Sequence, residues 1–314
     1  MANVVEVEVV AAGICGSDTM RVRTGFDPSS VGHELVALYQ DELYVVCPMS
    51  ACGRCAFCVR GLTQHCERLQ ALGRCDDHRG GFCGFVTVEK SQLRSLPPSL
   101  PVAVATLADP LACILAALEG IDPNGRRALV IGDGGLACVA SSMLLLSGAR
   151  VEVVAKCHRR ANLLNERLHL SAICSEDVTN DTYDIVLEAV GGATPSPVNL
   201  ALRAVGHCGY IRMLGVFDPV LIVSTRVRSL FEKEASIRGS KSYPVESQNG
   251  KSLDLLDQAI EILNESPACF SKIITHTFDL SNLEQLLAAL HRRGVGRSVG
   301  IRISSEDTRG YQWL

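Results

Sequence analysis

The sequence is poor in aromatic side chains, with a single tryptophan, and its acidic residues outnumber its lysines and arginines. It therefore offers neither the basic face nor the stacking platform that nucleic-acid binding uses, and no charge that would draw it to an anionic membrane. Long apolar runs are missing as well. The richest stretch, Pro101 to Gly120, is broken by Asp109 and two prolines. No run reaches the roughly 18 residues of a spanning helix. The opening MANVVEVEVV lacks the basic stretch and long apolar segment of a secretory leader, so the expected compartment is the cytoplasm.

Cysteine is what the chain has in excess, with 14 in 314 residues. A chain of this length can build two ordinary cores and needs no disulfide staples. Cys138, Cys157, Cys174, Cys208 and Cys269 fall in apolar or helical contexts and read as small buried hydrophobes. The exception is CGRCAFCVRGLTQHC, where Cys52, Cys55 and Cys58 follow a C-x2-C-x2-C spacing and Cys66 comes eight positions on. Disulfides within such short loops would be strained, and a redox pair needs only two thiols after a strand. An iron–sulfur cluster is compatible with four cysteines, but the spacing is not the ferredoxin run. Four thiolates closing on one tetrahedral ion read as a structural zinc site.

Residues 127–154 read strand, glycine turn, helix, strand. Gly132-Asp133-Gly134-Gly135-Leu136-Ala137 matches G-x-G-x-x-A between an apolar strand and a helical run. Such a turn lets a pyrophosphate approach the backbone and rest on the helix N-terminus. Strand-like DIVLEAVG and GYIRMLG follow, with helical intervals, as in a doubly wound parallel sheet. The N-terminal third instead alternates in short runs (VVEVEVVA, ELYVVCP, GFVTVEKSQL) and reads as a mostly antiparallel β domain carrying the cysteine loop. Two fragments ahead of that loop can hold a metal. GICGSD places Cys15 two residues before Ser17, and VGHELV sets His33 beside Glu34. Thiolate, imidazole and carboxylate together make a mixed site that leaves a position open.

Taken in order, GICGSD, GHE, C-x2-C-x2-C-x7-C, GGF (80–82), DPLAC (109–113), GDGGLA, EAVGG and SKIITHTFDL (271–280) resemble the zinc-dependent medium-chain dehydrogenase/reductase family, nearest its polyol and threonine dehydrogenase branch. The resemblance implies an α/β chain with a GroES-like β-barrel catalytic domain over 1–114, completed by 269–314. A Rossmann doubly wound parallel-sheet domain for the cofactor would occupy 115–268. It implies two zinc ions per chain, the catalytic one held by Cys15, His33 and Glu34, and assigns the cysteine lobe away from the chemistry. Asp109 stands where the branch has a glutamate near the metal, as a fourth ligand or through water; the structural alternative is a helix cap before Pro110. Ser17 would pass the substrate's proton, and Cys113 would lie near the nicotinamide. The zinc would polarise the substrate oxygen during hydride transfer.

The departures from the family are specific. Met20 replaces a histidine that completes the proton relay in many members, leaving a cofactor hydroxyl, Thr19 or water to carry the proton. Cys83-Gly84-Phe85 follows GGF where relatives often carry an acidic residue, the first two strands of the family are not matched, and the link from GHE to the lobe is short. A pocket shaped by another subunit, in a dimer or tetramer, would fit these losses. They also motivate an alternative, a catalytically silent nucleotide-binding relative that keeps only the structural zinc. The leading expectation is an enzyme acting on a small polar molecule, a polyol, sugar or aminocyclitol.

Cofactor choice is read at the end of the second strand of that fold, where an acidic side chain would favour NAD(H). Here Ala155 takes that place, followed by Lys156, His158, Arg159 and Arg160. Those cations suit a 2′-phosphate and point to NADP(H), unless Glu152 supplies the acidic contact by a register shift.

Overall fold

The computed structural model describes residues 3–74, 79–225, 227–245, 254–292, 294–302 and 312–313. It divides into two compact units, Met1–Ala112 with Ser242–Leu314, and Cys113–Lys241. In the first unit, strands β1 (Val4–Gly13), β2 (Glu34–Tyr39), β3 (Glu42–Val46), β4 (Met49–Ser50), β5 (Gln70–Ala71), β6 (Phe85–Glu89) and β7 (Leu93–Ser95) precede the second unit. That unit holds β8 (Arg127–Ile131), β9 (Arg150–Val154), β10 (Ala172–Ile173), β11 (Tyr183–Glu188), β12 (Val205–Met213) and β13 (Ser236–Gly239). The chain then returns to the first unit with β14 (Ile274–Asp279) and β15 (Arg297–Ile301).

β1 is the spine of the first unit. Its first half alternates, with Glu6 exposed and Val7 and Val9 buried, while its second half, Val9 to Gly13, is buried throughout. The change follows its neighbours: β6 pairs antiparallel with residues 4–8, β15 with residues 11–13, and β2 runs along its other side. The full order is β14-β15-β1-β2-β3-β7, antiparallel except for the β14–β15 pair. Val7, Val9, Leu35, Ala37, Val86 and Val88 form the heart of its core. The GGF motif lies against the turn before β2, with Gly81 N–H donating to the Gly32 carbonyl at 2.8 Å. Cys83 is buried there, its thiol 2.9 Å from the Ser29 carbonyl.

The second unit is a six-stranded, wholly parallel sheet in the order β10-β9-β8-β11-β12-β13. Counted within the unit this is 3-2-1-4-5-6, the doubly wound dinucleotide-binding order. Its central strands β8 and β11 are nearly continuous buried apolar runs, as parallel strands covered on both faces must be, while the edge strand β13 is exposed. Among the described residues no helix is long and apolar enough to cross a membrane.

Two expectations from the sequence are corrected. The chain returns to the first unit at Ser242, not at 269. The helix Leu255–Glu265 has the amphipathic pattern of any sheet-covering helix, but Leu256, Ala259, Ile260 and Leu263 are buried on the side of Val102–Ala105. Asp254 fixes that docking: it caps the helix through Leu256 N–H (3.0 Å) and accepts from Arg94 Nε (3.0 Å) and its terminal nitrogen (2.5 Å). The C-terminal segment also includes residues 293, 303–311 and 314, which lie outside the described residues. Secondly, Cys157, Cys208 and Cys269 are exposed; only Cys138 and Cys174 of that group are buried.

Asp254→Ala removes a cap and a charge-assisted pair together, for an expected loss of about 2–4 kcal/mol of the first unit's stability. Urea unfolding of the metal-replete protein checks it, and Asp254→Asn should restore the capping share alone.

Candidate metal and cofactor sites

Strand register assembles the principal site. β1 ends at Gly13, opposite Glu34 at the start of β2 and Val299 of β15. Ile14 N–H continues the ladder to the Ser298 carbonyl at 3.0 Å. Cys15 follows as the N-cap of the helix Gly16–Arg23, His33 precedes β2, and Arg297 opens β15. Cys15 Sγ, a ring nitrogen of His33 and a carboxylate oxygen of Glu34 thus lie within 4.8 Å of one another.

The surrounding groups aim these three. Asp18 is fully buried and accepts from Cys15 N–H (2.9 Å), Gly32 N–H (3.1 Å) and His33 Nδ1 (3.2 Å). A donating Nδ1 leaves the Nε2 lone pair of His33 directed away from Asp18. Arg297, also buried, clasps Glu34 Oε1 in a short ion pair. What remains is His33 Nε2 and Glu34 Oε2, both buried and both without a hydrogen-bond partner among the described residues. Orphaned buried atoms of this kind are costly. An imidazole nitrogen, a carboxylate oxygen and a cysteine sulfur turned to one point are the donor set of zinc, so the residues fit the metal that the sequence implies. Gly13 keeps the space open, since a Cβ there would stand 2.7 Å from Glu34 Oε2.

The electrostatics agree. Burial alone would raise the Cys15 thiol, but the neighbouring His33 ring and the charges of His33 and Arg297 bring it down to about 6. Burial likewise opposes charge on His33, yet the Asp18 carboxylate holds its pKa well above the usual range. A thiol lowered in this way gives up its proton readily to a metal ion, which would also displace the second proton of His33.

Asp109 stands apart from this trio. It is buried in the first turn of the helix Ala108–Leu118, not capping it, and Tyr243 O–H donates to its Oδ1 at 2.8 Å. Ser17 is half-buried in the first turn after Cys15, with Thr19 half-buried and Met20 largely exposed beyond it. Cys113 is half-buried at the start of the second unit.

In the lobe, all four sulfurs of Cys52, Cys55, Cys58 and Cys66 lie within 4.8 Å of one another. Cys55 and Cys58 are 3.5 Å apart, and Cys52 and Cys58 are 4.0 Å apart. A tetrahedral ion with metal–sulfur bonds of about 2.3 Å sets its sulfurs about 3.8 Å apart. Backbone N–H groups of Cys52 and Arg68 point at Cys66 Sγ (3.3 and 3.4 Å), and those of Arg54 and Cys55 help bring the Cys52 thiol down to about 6. All four thiols are free, so the tetrad fits a structural zinc.

The glycine turn of the second unit lies between β8 and the helix Gly135–Leu146. Gly132 adopts φ +129°, a region closed to side chains, and Gly134 is the N-cap with open space where a Cβ would stand. Leu136 is half-buried behind it. The cradle fits a pyrophosphate. The basic segment after β9 is more divided than its sequence implies. Lys156 and Arg159 are exposed, but Arg160 grips Asp133 of the turn through two bonds (2.6 and 2.7 Å), so its guanidinium is already engaged. His158 turns to Cys174 and Glu176 instead. Glu152 lies inside β9, where Tyr183 O–H donates to it at 2.6 Å; the register shift that would restore an acidic ribose contact does not occur. Asp18, Arg297, Tyr243 and Asp133 were given no role by the sequence. Asp18 and Asp133 had a signal, standing inside GICGSD and the glycine turn, and the other two had none.

Residues 2–98 match the alcohol dehydrogenase GroES-like domain. The chain is 28% identical to D-altritol 5-dehydrogenase of Agrobacterium fabrum, over 88% of this chain and 85% of that one. It is 23% identical to galactitol 1-phosphate 5-dehydrogenase of Escherichia coli, over 93% and 90%. Among solved structures it superposes on a zinc-binding dehydrogenase from Sinorhizobium meliloti bound to NADP, with a TM-score of 0.81 at 21% identity, covering 96% of this chain and 92% of that one.

Both ligand sets together give an expectation of close to two zinc ions per chain in protein purified without added metal. Cys55→Ser should lose the lobe's ion and much of the fold's stability, because a closed thiolate site contributes folding free energy. Cys15→Ser should keep the lobe's ion and its fold while losing turnover. Elemental analysis beside thermal melts separates the two.

Proposed function

We propose that the chain belongs to the zinc-dependent medium-chain dehydrogenase/reductase family, in its polyol dehydrogenase branch, and that it interconverts a secondary alcohol and its ketone on a polyol, sugar or aminocyclitol, using NADP(H). The observation that carries this reading is the buried trio of Cys15, His33 and Glu34, with His33 Nε2 and Glu34 Oε2 left unpartnered beside the Cys15 thiol. Zinc held there by Cys15, His33 and Glu34 would supply Lewis-acid polarisation of an oxygen, and a nicotinamide bound at the glycine turn would supply hydride transfer.

The chain's own residues supply aim and proton handling. Asp18 holds the His33 ring, and Arg297 holds one oxygen of Glu34 so that the other faces the site. Ser17 Oγ receives the hydroxyl proton during oxidation and returns it during reduction. Met20 has no proton to exchange, so the path onward uses Thr19, a cofactor hydroxyl or water. Asp109, held by Tyr243, adds a buried carboxylate that can meet the metal through water or a substrate hydroxyl. The relatives are 5-dehydrogenases of altritol and of galactitol 1-phosphate, and an inner carbon of a polyol bears a secondary hydroxyl.

Support for NADP(H) comes from Ala155 at the place of the acidic ribose contact, with Lys156 and Arg159 exposed beside it. Arg160 serves by neutralising Asp133, whose carboxylate would otherwise repel a 2′-phosphate. A structural neighbour bound to NADP is consistent with this choice.

Ser17→Ala should lower turnover about 10²-fold or more, the worth of a positioned proton-transfer group; wild-type rates across the pH range would remove Ser17 from the path. Wild-type kcat/KM on a polyol and ketone panel should favour NADP(H) over NAD(H). Arg159→Ala should cost about tenfold or more with NADP(H) and little with NAD(H), as for one lost charge-assisted hydrogen bond. A wild-type preference for NAD(H) contradicts the cofactor assignment.

A further inference from the structure

Outside the two sites above, one more cluster joins soft and hard metal donors. His158, the first residue of the helix His158–Leu168, Cys174, just after β10, and Glu176, in the turn that follows, offer ligand atoms within 4.8 Å of one another. His158 Nδ1 is 3.4 Å from Cys174 Sγ, and its Nε2 is 3.5 Å from a Glu176 oxygen. Two ligands sharing a tetrahedral zinc at about 2.1 and 2.3 Å stand about 3.6 Å apart, close to the nitrogen–sulfur pair. An S–H···N hydrogen bond has the same length, so the distance alone does not decide. The surroundings do more. In the chain Cys157, an exposed thiol, is next to His158, and Asp177 is next to Glu176. The His158 side chain is 78% exposed and Glu176 is 63% exposed, leaving the ring free to turn one nitrogen to an incoming ion.

The segments concerned are fixed by their own bonds. Cys174 and Asp177 close a turn on each other, through Cys174 N–H to Asp177 Oδ2 (3.3 Å) and Asp177 N–H to the Cys174 carbonyl (3.1 Å). The Arg203 guanidinium holds the Ser175 carbonyl at 2.9 Å. A buried sulfur on a braced turn facing an exposed imidazole and carboxylate is a half-built site that a side-chain rotation completes.

We propose that His158, Cys174 and Glu176 form a third metal site, in the second unit, for zinc or a similarly borderline-soft divalent ion. Binding takes the thiol proton of Cys174 into solvent and leaves a coordination position that Cys157 or water fills. With only three protein ligands, two of them exposed and one needing to rotate, it is weaker than the sites of the first unit and fills only when zinc is added.

The test uses the full-length protein as purified, with its resident zinc in place, dialysed against buffers of increasing free zinc. The wild type should take up one further ion per chain, with a rise in Tm and proton release on binding. Cys174→Ser should take up none while retaining the resident zinc, and Glu176→Gln should bind at least tenfold more weakly. Overturning results are an unchanged zinc content of the wild type in added zinc, or equal uptake by Cys174→Ser. Because the readout is uptake and not turnover, it stands apart from any result on the dehydrogenase reading.

Discussion

The Glu34–Arg297 ion pair is the contact on which the rest of the first unit's chemistry depends. It is buried, and it joins the start of β2 to the start of β15 across the end of β1. Two charges in such a place are tolerated because each answers the other; removing one partner alone leaves a buried charge, at a cost of about 3–5 kcal/mol. The pairing also does geometric work. By occupying Oε1 it leaves Glu34 a single oxygen for the site, just as Asp18, by occupying His33 Nδ1, leaves a single ring nitrogen. Two independent second contacts thereby resolve two ambidentate side chains into one convergent donor set beside Cys15.

The same logic recurs in the second unit with the opposite outcome. There Arg160 answers Asp133 within the phosphate turn, and the pair consumes a cation that the sequence would have left for a ligand. A run of four basic or titratable residues is thus sorted by its neighbours: Arg160 to the turn, His158 to a cysteine and a glutamate, Lys156 and Arg159 to the surface. Charge counted along the chain overstates the charge offered to a phosphate.

How much of this was legible depends on the range of the contact. The cysteine tetrad could be read because its ligands lie within fifteen residues and spacing alone limits the geometry. The glycine turn could be read because strand, turn and helix are contiguous, and the alternation pointed to a doubly wound parallel sheet, whose order is 3-2-1-4-5-6. Arg297 could not, since it lies 263 positions from Glu34 and has no motif around it. Tyr243 meets Asp109 across 134 positions in the same way. The early return at Ser242 was hidden because the helix Leu255–Glu265 carries a pattern that suits either unit, and only the long-range pair of Asp254 with Arg94 chooses between them. Short-range chemistry shows in sequence; partner choice among distant, similar elements does not.

The central claim is that the orphaned atoms of the first unit are metal ligands. Anomalous diffraction at the zinc edge, on crystals grown without added metal, tests it most directly. The account predicts two strong peaks per chain, one within the sulfurs of Cys52, Cys55, Cys58 and Cys66 and one bounded by Cys15 Sγ, His33 Nε2 and Glu34 Oε2. A single peak in the cysteine lobe, with Cys15, His33 and Glu34 holding only one another, would contradict it.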